Sequence, residues 1–561
     1  MRKISTLLAI LMLGFATESS AQTTFGGTAL HNDYLGWNDL YNLSFTSHNY
    51  GTARSMAMGN AFTALGSDLA SASLNPAGIG MYSSNNFNIG FMMQFSKTKT
   101  PASDPYYVGV PRRHQEFNDH TERFGMASVG GIANVYNGTG ALTSFNFGVV
   151  YNRIADFNHD SMSASIGNPA DESMANLFAT LGNVDGLTTN NNGTMPFGDD
   201  PYYWGAVLAY KNGLTNKDNE GWFIDRIAGW AEIDQYSAIQ TRGSIGEYAI
   251  TAGMNFSDIF YIGATLGIQS VNYRRTIFYG ENYIYTDGLY PSGATMPYQL
   301  EYMNYSQSSH VTGTGINFKI GITLRPVHWM RLGVAYHTPT YYALAHKYSS
   351  QMWSCTYSAG NNPDGYDLTP DGYMYDNVYS PELIDDGPNS WNFRSPSRLL
   401  LGAAFTIAQR IILSADYERS WYQSIRLTHA PIWELDYTDA THEVFKGSNT
   451  VRVGAEAIVT NFLALRMGYI YSGSTLRPDY TDILASHPMV TEQRFVTAGL
   501  GIQCSSNFAI DLAYQYGVTD YTRHQTFFAI DAYDPAYDIS PRVMRNTTKR
   551  HIAVISLDFR F

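Results

Sequence analysis

Arg550–Phe561, at the C-terminus, reads RHIAVISLDFRF. His551, Ala553, Ile555, Leu557, Phe559 and Phe561 fall on one side of an extended chain, and Arg550, Ser556, Asp558 and Arg560 on the other. Successive side chains of a β-strand point to opposite faces, so this stretch presents one apolar and one charged face. Val451–Ala457 repeats the pattern with Arg452 and Glu456 opposing the apolar residues. So do Leu463–Tyr471 with Arg466, Ile411–Glu418 with Asp416 and Glu418, and Phe508–Tyr516 with Asp511 and Gln515. A soluble sandwich strand also alternates, with its charges in water. A transmembrane barrel strand turns grease to lipid and charge to the bore. Alternation by itself does not say which face is outside.

The connections decide between them. Strands are predicted at 86–97, 122–135, 142–157, 243–256, 259–278, 309–324, 329–348, 396–408, 410–425, 447–458, 463–472, 493–504, 507–520 and 547–561, fourteen in all. Every second connection is short: Tyr136–Ala141, Ser257–Asp258, Arg325–His328, Gln409, Val459–Phe462 and Ser505–Ser506. The others are long, the longest running from Asn158 to Arg242. Short periplasmic turns alternating with long extracellular loops mark an outer-membrane barrel, and a sandwich gives no reason for them. The expectation is an all-β, fourteen-stranded antiparallel transmembrane β-barrel in the outer membrane of a Gram-negative cell. An even strand count puts both termini in the periplasm, and the alternation, read as a barrel, makes Asp416, Glu418, Arg452, Glu456 and Arg466 lumenal charges.

Composition fits. The 561 residues include 42 Tyr, 29 Phe and 50 Gly, with 15% charged residues and mean hydropathy −0.22. An apolar outer face, a polar bore and aromatic girdles average to such values. No stretch approaches 18 consecutive apolar residues, which excludes a helical membrane protein. A net charge of −13 without a basic stripe argues against nucleic acid as a partner. Residues 1–21 read as a secretory signal peptide, with Arg2 and Lys3, an apolar run Leu7–Phe15 and small residues Ser19-Ser20-Ala21 before the cleavage point. Cys355 falls in an extracellular loop and Cys504 at the periplasmic end, too far apart for a disulfide.

Between the leader and the first strand, residues 22–84 read as a lead-in and a plug, with the barrel occupying 85–561. Gly51–Tyr82, GTARSMAMGNAFTALGSDLASASLNPAGIGMY, is small and nearly uncharged apart from Arg54 and Asp68. Such a segment lacks the apolar bulk for its own core and must pack inside something else. Asn75-Pro76-Ala77-Gly78 reads as a rigid turn, outside any helix or strand. Arg54 and Asp68 are placed to pair with each other or with the lumenal charges.

The longest loop carries a helix signal: Pro169 and the acids Asp171 and Glu172, then Met174, Leu177, Phe178 and Leu181 at helical spacing, then Gly182. Phe223, Ile227 and Trp230 form a second, weaker set. Together with Trp222 these are candidates for an apolar groove at the surface. Asp364-Gly365-Tyr366-Asp367, Asp371-Gly372 and Asp376 lack EF-hand spacing and read as a solvated loop, so no metal is expected. There is no Walker loop, and Gly313-Thr314-Gly315 lacks the third glycine of a dinucleotide fingerprint. Without a G-x-S-x-G elbow a rim-located lipid hydrolase is disfavoured, and no enzyme activity is expected. A haem receptor would need an axial ligand among His31, His48 and Tyr82, lone residues of common types. No cofactor is expected. An adaptor or shuttle for secreted proteins would suit long loops equally.

The plug and strands together resemble the FadL family of outer-membrane transporters for long-chain fatty acids and other hydrophobic compounds. The resemblance rests on Arg54, Met58-Gly59-Asn60-Ala61-Phe62, Ala64-Leu65, Asp68 and Asn75-Pro76-Ala77-Gly78. Leu401–Phe405, Ser414–Tyr417, Trp421, Asn449–Gly454, Leu465–Tyr469, Asp511–Tyr514 and Asp558–Phe561 extend it through the barrel. The resemblance implies passive uptake of a hydrophobic small molecule through a surface groove, a lumenal pocket and a rearranging hatch. Lateral exit would follow at a kink in the third strand, for which Gly148 is the candidate. Phe561 resembles the C-terminal signal read by the barrel assembly machinery. Outer-membrane lipid and lipopolysaccharide are the remaining expected partners.

Overall fold

Fourteen antiparallel strands close into a barrel in the computed structural model. It describes residues 37–44, 50–100, 117–184, 187–189, 195–197, 203–227, 231–284, 298–359, 368–379, 390–429, 441–478, 489–525 and 543–561. The strands are β1 (Asn86–Thr100), β2 (Phe117–Asn137), β3 (Leu142–Asp156, resuming as His159–Pro169), β4 (Glu232–Phe256) and β5 (Phe260–Ile284). Then come β6 (Tyr298–Val327), β7 (Met330–His337 and Tyr341–Ala359), β8 (Ser390–Arg394 and Arg398–Ile407) and β9 (Ile411–Trp421). The ring ends with β10 (Gly447–Ile458), β11 (Leu463–Ser472), β12 (Val490–Gln503), β13 (Phe508–Gln525) and β14 (Val543–Arg560). Closure is made by β1 and β14, paired from Asn86–Arg560 to Lys99–Thr547.

The ambiguity of alternation resolves by burial. Phe124 is 72% exposed, Met467 64% and Val496 58%, while the polar Asn146, Gln269, Gln515 and Ser556 on opposite faces are buried. Apolar residues therefore cover the outside and polar ones the bore, the arrangement a lipid surround rewards at roughly 25 cal/mol per Å² of apolar surface. No helix among the described residues is long and apolar enough to cross a membrane. The six short connections lie at one end. Ser257 and Asp258, and likewise Ala408 and Gln409, take positive φ at both central positions of a β-turn, as type I′ requires.

At the other end the strands run further than the alternation suggested. β4 starts at Glu232 and β6 at Tyr298, because cross-strand pairing continues where the residues turn polar. Asp371, Gly372 and Asp376, expected in a loop, lie in a strand, Leu368–Tyr379, paired to Ser349–Ala359 of β7; 364–367 lie outside the described residues. Cys355, expected in a loop, lies in β7, and neither it nor Cys504 is in a disulfide. The described helices are α1 (Trp37–Ser44), α2 (Ala53–Ala57), α3 (Met174–Val184) and α4 (Trp204–Lys211), with short 3₁₀ turns at Leu69–Ala72 and Pro76–Met81. The weaker helical set does not form. Phe223–Asp225 is a strand paired with Thr215–Lys217, and the helix lies upstream as α4, where an almost wholly apolar face left no period to read.

Candidate functional site

The small-residue segment starts with Thr52, whose hydroxyl accepts the Ser55 N–H at 3.1 Å and begins α2. Asp68 caps Leu69–Ala72 through the Ala70 N–H. Asn75 caps Pro76–Met81 with Pro76 in the first turn, so the Asn-Pro-Ala-Gly tetrad opens a 3₁₀ helix where a turn was expected. Proline suits that position because its missing N–H has no intrahelical partner there.

The segment meets inward faces all round the ring. Tyr50 donates to Gln94 of β1 at 2.8 Å, the Ala53 N–H to Ser556 of β14 at 2.8 Å, and Thr497 of β12 to the Ala57 carbonyl at 2.8 Å. The Thr63 N–H donates to Asp416 of β9 at 2.8 Å, and Asn146 of β3 to the Ile79 carbonyl at 2.8 Å. Wall glycines take its backbone directly: Gly263 faces Pro76, Gly333 faces Thr63, and Gly454 and Gly468 face Met58 and Gly59. Gly59 itself has φ +61, and a Cβ there would sit 3.1 Å from the Val453 carbonyl. Close backbone contact is the physical reason this stretch is so poor in bulk.

Arg54 forms a two-pronged pair with Glu456, both bonds 3.1 Å, and donates to the Ser67 carbonyl. Glu456 also accepts from Arg466 at 2.5 Å, and Arg466 reaches Asp511 at 2.5 Å. Arg452 pairs with Glu418 at 2.6 Å. All five candidate lumenal charges thus face the bore. Asp68 pairs with no wall charge among the described residues; Thr52 donates to both of its oxygens at 2.8 Å. Thr52, Arg54, Asp68, Glu456, Arg466 and Asp511 border a cavity of about 480 Å³ at the short-turn end.

Burial pushes the Asp68 carboxyl up to about 6, against the opposing pull of Arg54, the Ala70 N–H and Thr52; Asp511 adds to the rise. A docked pKa above the ordinary 3.9 means that docking tightens as pH falls through 6, and that this added stability is lost as pH rises past it. Amides of 50–82 should therefore exchange less, after correction for intrinsic rates, at pH 5 than at pH 7.5. Asp68→Asn should flatten that difference; an unchanged difference would remove Asp68 as its source.

Above this segment α1 lies in an aromatic chamber. Leu40, Tyr41 and Leu43 are buried against Phe157, Tyr273, Trp391, Phe393, Tyr422 and Phe445. Asp39, wholly buried, accepts from Tyr273 and pairs with Arg275, each at 2.5 Å. A residual cavity of about 60 Å³ lies between Tyr41, Tyr50, Asp156, Phe157, His159 and Arg550.

That cavity backs onto a break in the wall. The β2–β3 ladder ends at Ser128–Asn152. Register slips between Arg153 and Ala155, opposite Gly246 and Ile245; just beyond, Gly243, with φ +112, accepts the Phe157 N–H at 3.0 Å, and the resumed strand reaches inward until His159 lies 3.1 Å from Thr98 and 2.9 Å from Thr548. Side chains take over where the ladder stops. Arg153 donates to the Met126 carbonyl at 3.2 Å and pairs with Asp156 at 3.0 Å, and Arg123 approaches Asp156 at 3.4 Å. Asp119 accepts the Met162 N–H at 2.7 Å, and Thr121 donates to Asp160 at 3.0 Å. Gly148 is not the break: it pairs regularly with Ile132 and Thr251, and the interruption comes several residues later. Sequence reasoning missed Arg123, Arg153, Asp156 and Gly243; an Arg/Asp pair at i,i+3 in the third strand and a glycine at the start of the fourth predicted strand were the available signals.

The expected surface groove is closed. Met174, Leu177, Phe178 and Leu181 of α3 are buried with α4 against Ile277, Tyr279, Tyr305 and Met352 of the extended strands. Phe223 is buried as well, Trp222 is 55% exposed, and Trp230 lies outside the described residues. Of the residues considered for haem, Tyr82 is buried, and His31 and His48 lie outside the described residues, as does the leader.

No family model and no curated protein sequence matches the chain. Among solved structures it is similar to the toluene transporter TodX of Pseudomonas putida, with 14% identity, TM-score 0.46, and coverage of 92% of this chain and 99% of that one. It is similar to the CymD monoaromatic hydrocarbon channel at 12% identity and TM-score 0.45, covering 92% and 99%. A Pseudomonas aeruginosa FadL homologue gives 15% identity and TM-score 0.47, covering 92% and 98%.

Proposed function

We propose that this chain is an outer-membrane channel for passive uptake of hydrophobic small molecules, long-chain fatty acids or compounds of similar character. The observation that carries the reading is the seam beyond Ser128–Asn152, where wall hydrogen bonds give way to side chains directly in front of an apolar chamber. Backbone ladders resist opening because each exposed amide needs a partner, whereas at the seam the contacts to be parted are side-chain ones, which can exchange partners without unpairing backbone. An apolar solute entering the chamber loses contact with water, and through the seam it reaches lipid without crossing a polar bore. Residues 50–82 act as the plug, which bars the polar route. The cavity of about 60 Å³ holds no more than a couple of waters, so α1 moves aside to admit a solute. A concentration gradient supplies the drive, and the barrel's charged groups serve docking with no part in chemistry.

The test is uptake of radiolabelled oleate and toluene by cells that lack their own transporter and express this chain. Uptake several-fold above vector that survives collapse of the proton gradient supports the reading. Uptake of neither compound above vector overturns it.

A further inference from the structure

We propose that the outer face of β14, β1 and β2, at the long-loop edge of the apolar belt, binds the phosphate groups of lipid A in the surrounding leaflet. The inference rests on the reading of the barrel as an outer-membrane protein with its long loops outside. Cross-strand register builds the site. Lys97 of β1 stands directly opposite Lys549 of β14 and, on its other side, opposite His120 of β2. All three side chains are exposed and share the outward parity of Phe95, Met93 and Phe124. Lys99, one outward position beyond Lys97, extends the row toward the loops.

Two ammonium groups face to face across a ladder, with backbones about 5 Å apart, repel each other unless an anion lies between them. None of the ion pairs among the described residues includes Lys97 or Lys549. Arg494 shows the contrast: it continues the same row on β12, opposite Val518, yet is tied to Glu492 and to Asp520, the latter at 2.9 Å. Glu122, the acid nearest in register, faces Phe95 one row closer to the belt and makes no ion pair with Lys97 among the described residues. A chain of net charge −13 has thus set two cations side by side and uncompensated.

Depth identifies the ligand. Reading from the short-turn end, the outward rows pass from Phe91, Ile555 and Leu512 through Met93, Ala553 and Tyr514 to Phe95, His551 and Tyr516. An apolar band ending in an aromatic row marks the boundary between acyl chains and headgroups. Lys97 and Lys549 form the next row out, level with headgroups, and an ammonium on a flexible stem binds phosphate as a point charge. Lipid A presents phosphates at that depth with acyl chains below to cover Phe95 and Met93.

The experiment measures lipid binding to the detergent-purified full chain by native mass spectrometry, with hexa-acyl lipid A, its dephosphorylated form and phosphatidylglycerol as probes. Wild type should bind lipid A, and Lys97→Gln/Lys549→Gln should weaken it about thirtyfold, at the usual contribution of a basic residue near an anionic surface. The dephosphorylated form should bind wild type as weakly as lipid A binds the double variant. Equal lipid A affinity in both proteins, indifference to the phosphates, or equal competition by phosphatidylglycerol would each overturn the assignment. Both lysines point away from the bore, so the heat-modified gel shift of the folded barrel serves as the control that the variant is intact. Oleate uptake is read separately, so failure here does not touch the transport reading, nor the reverse.

Discussion

Lys319→Met is expected to destabilise the folded barrel by about 3–5 kcal/mol, the usual consequence of stranding a buried charge. Lys319 of β6 and Glu247 of β4 are both buried and joined by an ion pair across the bore side of the wall. Glu247 is also the hub of a network. Ser73 donates to it at 2.7 Å and Gln269 of β5 at 2.8 Å, while Asn152 of β3 donates to Ser73 at 2.9 Å. With the ammonium gone, two neutral donors remain against a full carboxylate in a site closed to water. Folded barrel should then be lost at a clearly lower temperature in a heat-modifiability gel, with Ser73 and its neighbours opening first to protease. Glu247→Gln/Lys319→Met, which removes both charges, should recover most of the loss, because a buried pair contributes little net stability once its desolvation is counted. A single variant as stable as wild type would show that water reaches the pair and that the 50–82 segment is anchored elsewhere.

Strand count and short turns were legible because each rests on a local rule. Alternation marks a strand wherever lipid and bore face each other across it, and Ser257-Asp258 is too short to be anything but a hairpin. What escaped was set by tertiary partners. Glu232–Arg242 extends β4 because His159–Pro169 pairs with it, a fact absent from either stretch alone. The break in β3 involves Gly243, which meets the Phe157 N–H from a different strand far along the chain. The apolar stripe of α3 was read correctly as a helix, yet whether a stripe is an open groove or a packed contact depends on what lies above it. Here α4 and the strand extensions lie above it. Asp39 gave no signal at all. One acid in an aromatic lead-in becomes meaningful only when Arg275 and Tyr273 are seen to meet it.

Asp39→Asn should free α1 from the chamber, and its effect on transport distinguishes a structural helix from a displaceable one. The Asp39 carboxylate meets the Arg275 guanidinium and the Tyr273 hydroxyl in full burial, so losing its charge leaves a cation facing aromatic rings. An eight-residue helix cannot hold itself together once its docking contacts go. Amides of 37–44 should exchange about a hundredfold faster or more in the variant, in keeping with the several kcal/mol that breaking a buried pair costs. The same change should raise oleate uptake at low concentration. Leu40, Tyr41 and Leu43 fill the space an apolar solute would take, and a solute that must displace them binds in proportion to the fraction of time they are away. Asp39→Asn/Arg275→Met restores an uncharged contact and should return both exchange and uptake toward wild type. Faster exchange without faster uptake would mean the chamber lies off the path, and the seam behind Asp156 and Phe157 would then have to be reached by another route.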